Sequence, residues 1–169
     1  MKIYLLTAGL LLSLTGCAQQ QPNQKKTTAS PVNAPEKGVV KAGGSCEGCE
    51  AIYESPVPFG QLNETDTLPG FEEAGPKLRI SGTIFKADGK TPAPGVVLYI
   101  YHTNQQGNYV SKSGEGWEKR HGYIRGWVKT NEKGEYSFYT LRPASYPNSK
   151  AAQHIHPVIK EPGISDYYI

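Results

Sequence analysis

The sequence predicts an all-β chain folded as an antiparallel β-sandwich, and three observations carry that prediction. From Lys77 onward, short runs of alternating or β-branched residues follow one another. Turn signals rich in Gly, Pro and Asn or Asp separate them. No stretch shows the periodicity of an amphipathic helix. Several short strands joined by turns bury their apolar faces as two packed sheets.

Residues 1–16 precede this fold. Lys2 is followed by an apolar run from Ile3 to Leu14 and then by small residues. That is the layout of a secretory signal, and the run is too short to span a bilayer. Leu14-Thr15-Gly16-Cys17 resembles a bacterial lipobox. The resemblance implies lipidation of Cys17 and a lipoprotein anchored to a membrane, facing the periplasm or the cell exterior. The alternative is an ordinary signal with Cys17 incidental. Residues 17–45 carry almost no large apolar side chain, so they cannot offset the entropy of ordering and are expected to be a disordered tether. Residues 46–169 suffice for one small domain. Without residues 1–16, 17 Lys and Arg face 15 Asp and Glu. With no nucleic-acid motif in the chain, that balance does not point to a nucleic-acid partner.

Cys46 and Cys49 form a C-x-x-C pair. Outside the cytosol a short-loop disulfide is the simplest reading, with a redox or metal role or two free thiols as alternatives. There is no second C-x-x-C, which excludes a four-cysteine zinc site. Residues 46–76 are irregular and are read as an ordered arm packed on the sandwich, anchored by Ile52, Tyr53, Phe59, Leu62, Leu68 and Phe71. In the next run, Leu78, Ile80 and Gly82 alternate with Arg79, Ser81 and Thr83 as a first strand. Asp88-Gly89 and two prolines then turn the chain. Residues 96–102, VVLYIYH, form a second strand, expected to be buried on both faces. Residues 122–130 form a third. After the turn at 131–134, EYSFYTL at 135–141 alternates as a fourth. A proline loop over 142–153 leads to HIHPVI at 154–159, a fifth, and DYYI at 166–169 begins a sixth.

The chain has only four histidines, yet His154 and His156 stand one residue apart. On a strand their side chains share a face while Ile155 points to the core, so both rings can reach one cation. The alternative is two separate histidines on an exposed face. Tyrosine is frequent, 11 residues against four phenylalanines. Tyr146 lies in the proline loop just before the histidines, and Tyr109 follows a turn after the second strand. Two phenolates with two imidazoles suit Fe(III), because phenolate oxygen matches a hard trivalent ion. Zinc would more often bring a third histidine or a carboxylate.

The order PAPGVVLYIYHTNQQGNY, then RGWVKTNEKGEYSFYTLRPASYP, then HIH resembles the intradiol ring-cleavage dioxygenases, the catechol and protocatechuate group. The resemblance covers roughly residues 77–169. It implies a sandwich related in shape to transthyretin-like domains. It also implies a non-haem Fe(III) held by Tyr109, Tyr146, His154 and His156, with Tyr146 doubling as internal base. The implied reaction takes a small aromatic diol and O2 to a cis,cis-muconate. Family members often self-associate, so a homo-oligomer is expected as well. Three departures stand beside this. The arginine usual before His-Ile-His is replaced by Ala151-Ala152-Gln153, leaving Arg125 or Gln153 as candidates for its charge-stabilising role. Family members continue for several dozen residues past the strand where this chain ends, so it reads as a shortened member or a fragment. An exported, lipid-anchored member also differs from the cytoplasmic enzymes of the group.

The rival reading is a non-catalytic exported sandwich. The ISGTIF strand, the D-G-x-x-P turn and the hairpin around Asn131–Phe138 also resemble transthyretin-like and carboxypeptidase-regulatory modules, and fold alone does not decide function. An iron-binding but inactive relative is the third reading. Of the remaining candidates, His102 is read as a strand-end histidine with a local hydrogen bond. His121 is read as a loop residue, with pocket lining as the alternative. Trp117 and Trp127 are read as anchors, and Tyr123 as a weak alternative ligand.

Overall fold

The computed structural model describes residues 40–41 and 46–166. The segment between Lys77 and Lys160 supplies five strands: β3 (Lys77–Thr83), β4 (Val97–Tyr101), β5 (Arg125–Lys129), β6 (Glu135–Leu141) and β7 (His156–Lys160). Before them come β1 (Val40–Lys41) and β2 (Thr65–Thr67), and after them β8 (Ile164–Asp166). One sheet runs β2-β6-β3 and the other β5-β4-β7, with β1-β8 as a separate small pair. β3 and β6 pair antiparallel over their full length, from Lys77↔Leu141 to Thr83↔Glu135. The second sheet is antiparallel throughout.

Side-chain alternation explains how the layers stack. Leu98 and Ile100 of β4 join Val128, Phe138, Leu68, Val96 and Ile124 between the two sheets. Val97 and Tyr99, of opposite parity, turn to the outer face with Trp127 and Val158. There the arm covers them with Cys49, Ala51, Ile52 and Tyr53. β4 is therefore buried on both faces, which is why its sequence is apolar at every position rather than at alternate ones.

The arm holds two 3-10 helices, Cys49–Glu54 and Phe59–Gln61. Cys46 and Cys49 are joined by a disulfide, with their Cα atoms 5.6 Å apart. The arm is tied to β5 at three heights: Trp127 Nε1 donates to Ile52 O at 2.9 Å, Arg125 pairs with Glu54 at 2.6 Å, and Lys129 Nζ donates to Gly60 O at 2.7 Å. Asp66 adds a fourth tie by accepting the Trp127 backbone N–H at 2.9 Å. Burial pushes the Asp66 carboxyl above its usual range, while that N–H pulls it back down.

Several expectations need correction. β2 falls inside the segment read as irregular, and it pairs parallel to β6, so the first sheet is mixed. The last strand before the turn begins at His156, not His154. Residues 118–121 form one helical turn (α1, Glu118–His121) in a chain read as free of helix. Val40 and Lys41, within the expected tether, pair parallel with β8. The proposed signal, Cys17, the rest of the tether and Tyr167-Tyr168-Ile169 of the expected sixth strand lie outside the described residues. Among the described residues no helix is long and apolar enough to cross a membrane.

Candidate metal centre

Tyr109 and Tyr146 stand on two loops that the backbone clips together. β4 ends at Tyr101, and His102 is sealed behind it. Its Nδ1 lies 2.7 Å from Thr103 O and its Nε2 2.8 Å from the Thr140 hydroxyl, which bears out the local role read for it. Asn104 then organises a turn. Its side-chain oxygen accepts the N–H groups of Gln106 and Asn108 at 2.9 and 3.0 Å, and its carbonyl accepts that of Gly107 at 3.1 Å. The same carbonyl accepts Ala144 N–H at 3.2 Å, and the Thr103 hydroxyl donates to Ala144 O at 2.7 Å. Gly107 has φ +76, and a Cβ there would run into the Ser145 carbonyl. Only glycine combines that backbone angle with so close an approach. The result is a Tyr109–Tyr146 hydroxyl contact of 2.7 Å.

Tyr146 is the hub of the cluster. Its hydroxyl also lies 2.9 Å from His154 Nε2 and 3.2 Å from His156 Nε2. The two imidazole rings meet edge to face, 4.8 Å between centroids. His156 opens β7 opposite Tyr101, while His154 precedes the strand. His154 Nδ1 lies 2.6 Å from Ala152 O. A carbonyl can only accept, so Nδ1 carries the hydrogen and the neutral ring presents its Nε2 lone pair to Tyr146.

These four groups fit a ferric ion. Two donors each about 2.1 Å from one ion and at right angles to each other stand about 3 Å apart. The contacts around the Tyr146 oxygen have that spacing, and a cation held by the four atoms would replace them. Two phenol oxygens and two imidazole nitrogens are a hard, charge-neutralising set. Among the described residues no three of His, Cys, Asp or Glu gather as a metal site, so a metal held here would need the tyrosine oxygens. Burial and the Tyr146 hydrogen bond hold the Tyr109 phenol well above its ordinary value. Burial, then the neighbouring His154, lowers His156. A bound trivalent charge reverses that sense for a phenol by favouring its anion.

The other candidates fall elsewhere. Arg125 does not join the four donors. Its guanidinium is engaged by Glu54 and lies over the Trp127 ring, so it serves as a clamp for the arm. Gln153 accepts from Arg142 Nε at 2.7 Å. Tyr123 donates to Glu73 at 3.0 Å, away from the cluster. Trp117 and Trp127 pack against the outer-face core, as read. Tyr101 was not among the residues singled out from the sequence. It stacks on His156 at 4.7 Å and 11° and on His121 at 3.8 Å and 4°. The signal was available, because residues alternate on a strand and a cross-strand partner of a ligand lies beside it.

His121 is buried, not a simple loop residue, and its Nδ1 lies 2.8 Å from the Tyr99 hydroxyl. Burial, then the nearby Arg125 charge, pushes its pKa down to about 4. Between that value and about 6.5 the unfolded chain binds a proton that the folded chain refuses. His121 therefore lends its full contribution above pH 6.5, and the contribution is lost as pH falls toward 4. His102 and His156 shift in the same direction. Urea titrations from pH 7 to pH 4 should show stability falling by on the order of 3 kcal/mol from His121 alone. The slope should flatten in His121→Gln; an unchanged slope would remove His121 as its source.

Comparison with known proteins places the chain among dioxygenases. A family model described as "Dioxygenase" matches residues 54–164. Over 94 residues the chain is 38% identical to catechol 1,2-dioxygenase 1 of Acinetobacter lwoffii, covering 54% of this chain and 29% of the relative. Over 100 residues it is 38% identical to catechol 1,2-dioxygenase of Acinetobacter baylyi, covering 59% and 30%. The chain thus spans less than a third of the length of these relatives. Among solved structures, the dioxygenase domain of a dioxygenase–carbohydrate-binding fusion from Streptomyces sp. SirexAA-E is similar, at 22% identity and a TM-score of 0.49. The match covers 74% of this chain and 70% of that one.

Proposed function

Because the chain belongs to the intradiol ring-cleavage dioxygenase family, we propose that it cleaves a catechol-type ring with O2, using a non-haem Fe(III) held by Tyr109, Tyr146, His154 and His156. One observation carries the reading: a single phenol oxygen, that of Tyr146, meets the Tyr109 hydroxyl and both imidazole Nε2 atoms within 2.7–3.2 Å. An unrelated sandwich has no reason to bring those four side chains together from separate loops and a strand.

Each residue then has a task. The Ala152 carbonyl keeps His154 in the tautomer that offers Nε2. With a ferric ion bound, Tyr109 and Tyr146 would supply anionic oxygen that offsets two of its three positive charges. Tyr146 lies centrally and is only partly buried, so its oxygen can take a proton from the incoming diol. A ferric ion bound there would supply the Lewis acidity and one-electron chemistry that let a catecholate react with dioxygen. Both oxygen atoms enter the product and the bond between the two hydroxyl-bearing carbons breaks, giving a cis,cis-muconate without an external reductant. We further propose that Cys17 is lipidated and holds the protein on a membrane outside the cytoplasm, with self-association as a second property.

The purified protein, loaded with Fe(III), should be red-brown from phenolate-to-iron charge transfer and should consume O2 with catechols. Metal analysis should give about one iron per chain. A colourless protein after loading would leave the non-catalytic sandwich. Colour without oxygen uptake across a catechol panel would leave an iron-holding, inactive relative.

A further inference from the structure

The two histidines of the cluster are oriented by different means. His154 has a second anchor, its Nδ1 against Ala152 O at 2.6 Å. A metal-binding histidine is ordinarily fixed this way, because the hydrogen bond at one nitrogen sets the plane in which the other can bind. His156 has no such anchor. Among the described residues its one hydrogen-bond contact is the Tyr146 hydroxyl at Nε2. Its imidazole instead lies flat against the Tyr101 ring, with centroids 4.7 Å apart and planes 11° from parallel.

Tyr101 is itself held from behind. His121 lies on its opposite face at 3.8 Å and 4°, the closest ring contact of the site. His121 is fixed by the Tyr99 hydroxyl at 2.8 Å, and a Cβ on Gly48 would come within 2.9 Å of its Nε2. Burial raises the Tyr99 phenol, and the Arg125 guanidinium, paired with Glu54 at 2.6 Å, lies close enough to lower it against that effect. The order is a rigid core, then His121, then Tyr101, then His156. The Tyr101 hydroxyl has no hydrogen-bond partner among the described residues, so the ring face, not the hydroxyl, makes the contacts.

We infer that Tyr101 is a positioning residue: its ring, backed by His121, sets the plane of the His156 imidazole and aims Nε2 at the Tyr146 oxygen. The inference rests on the reading of the four donors as a metal site. Flat stacking leaves sliding and rotation within the plane open but resists tilting, and tilt is what would carry Nε2 off the common point.

The test compares Tyr101→Phe, which keeps the ring, with Tyr101→Leu, which removes it from a partly buried position. Without metal, NMR should show the His156 ring protons shifted upfield in the wild type and in Tyr101→Phe. In Tyr101→Leu that shift should vanish, together with contacts between the His156 and Tyr146 rings. With Fe(III), Tyr101→Phe should keep the wild-type affinity and visible band. Tyr101→Leu should bind iron ~10–100-fold more weakly, as when the support of a metal ligand is lost, with the band broadened or displaced. His121→Phe, which keeps a ring behind Tyr101, should rescue what His121→Ala loses. If Tyr101→Leu retains both the His156–Tyr146 contacts and the wild-type iron spectrum, the inference fails. If the wild type takes up no iron, the metal reading fails, and the metal-free spectra still decide whether Tyr101 orients His156.

Discussion

Tyr146→Phe should leave the sandwich folded, shift or abolish the colour, and take away the ring cleavage. The substitution removes one oxygen that meets Tyr109, His154 and His156 at once. Among the described residues no other side chain hydrogen-bonds all three. The fold should notice little, because the residue is only partly buried and sits on a loop outside both core clusters. A lost hydrogen bond of this kind costs about 1 kcal/mol. Turnover should fall by ~100-fold or more, the size of effect when a positioned proton-transfer group is deleted. Oxygen uptake, a visible spectrum and a urea titration on one preparation separate the three effects. Tyr123→Phe is the control, since that phenol hydrogen-bonds Glu73 instead. Equal spectra for wild type and Tyr146→Phe would take Tyr146 out of the site.

Gly107→Ala should break the site from the other side. Two costs coincide there: φ is +76, and the new methyl would meet the backbone carbonyl of Ser145. A non-glycine residue in left-handed backbone costs on the order of 1–3 kcal/mol. The clash adds to this and cannot be relieved by a side-chain rotation, because the obstacle is backbone. The loops carrying Tyr109 and Tyr146 must separate, and the hydroxyls with them. Gly89→Ala isolates the first cost: φ is +67 and nothing lies within 4 Å of the added carbon. Gly89→Ala should lose some stability and keep full iron binding, whereas Gly107→Ala should lose more stability and most of its iron. Matching losses in the two variants would mean that the close approach of the loops does not hold the site.

Strands with strong local signals were legible in the sequence. β6 occupies 135–141 as read, because Tyr136, Phe138 and Thr140 alternate inward and a sharp turn precedes them. β2 was not legible. Thr65-Asp66-Thr67 has no apolar alternation, and its place is set by β6 and by the Asp66 carboxylate meeting Trp127, both distant in sequence. β7 starts later than expected for a similar reason. Its partner β4 ends at Tyr101, opposite His156, and His102 turns away to Thr140, so residues 154–155 have no strand to pair with. The donors themselves could be read from residue type and order. Their support could not: that the Ala152 carbonyl, Tyr101 and His121 hold the two imidazoles depends on close approach in space.

The pairing of β3 with β6 joins residues as far apart as Lys77 and Leu141, and that of β2 with β6 joins Thr65 to Ser137. Contacts so far apart in the chain form slowly, since a large loop must close before it is rewarded. The clip joins the 142–147 segment, which leaves β6, to the 104–109 segment, which follows β4 of the other sheet, so both sheets must be in place. A ferric ion that requires both segments can be captured only by a chain that has completed its topology, so iron uptake would time the end of maturation and could not seed it.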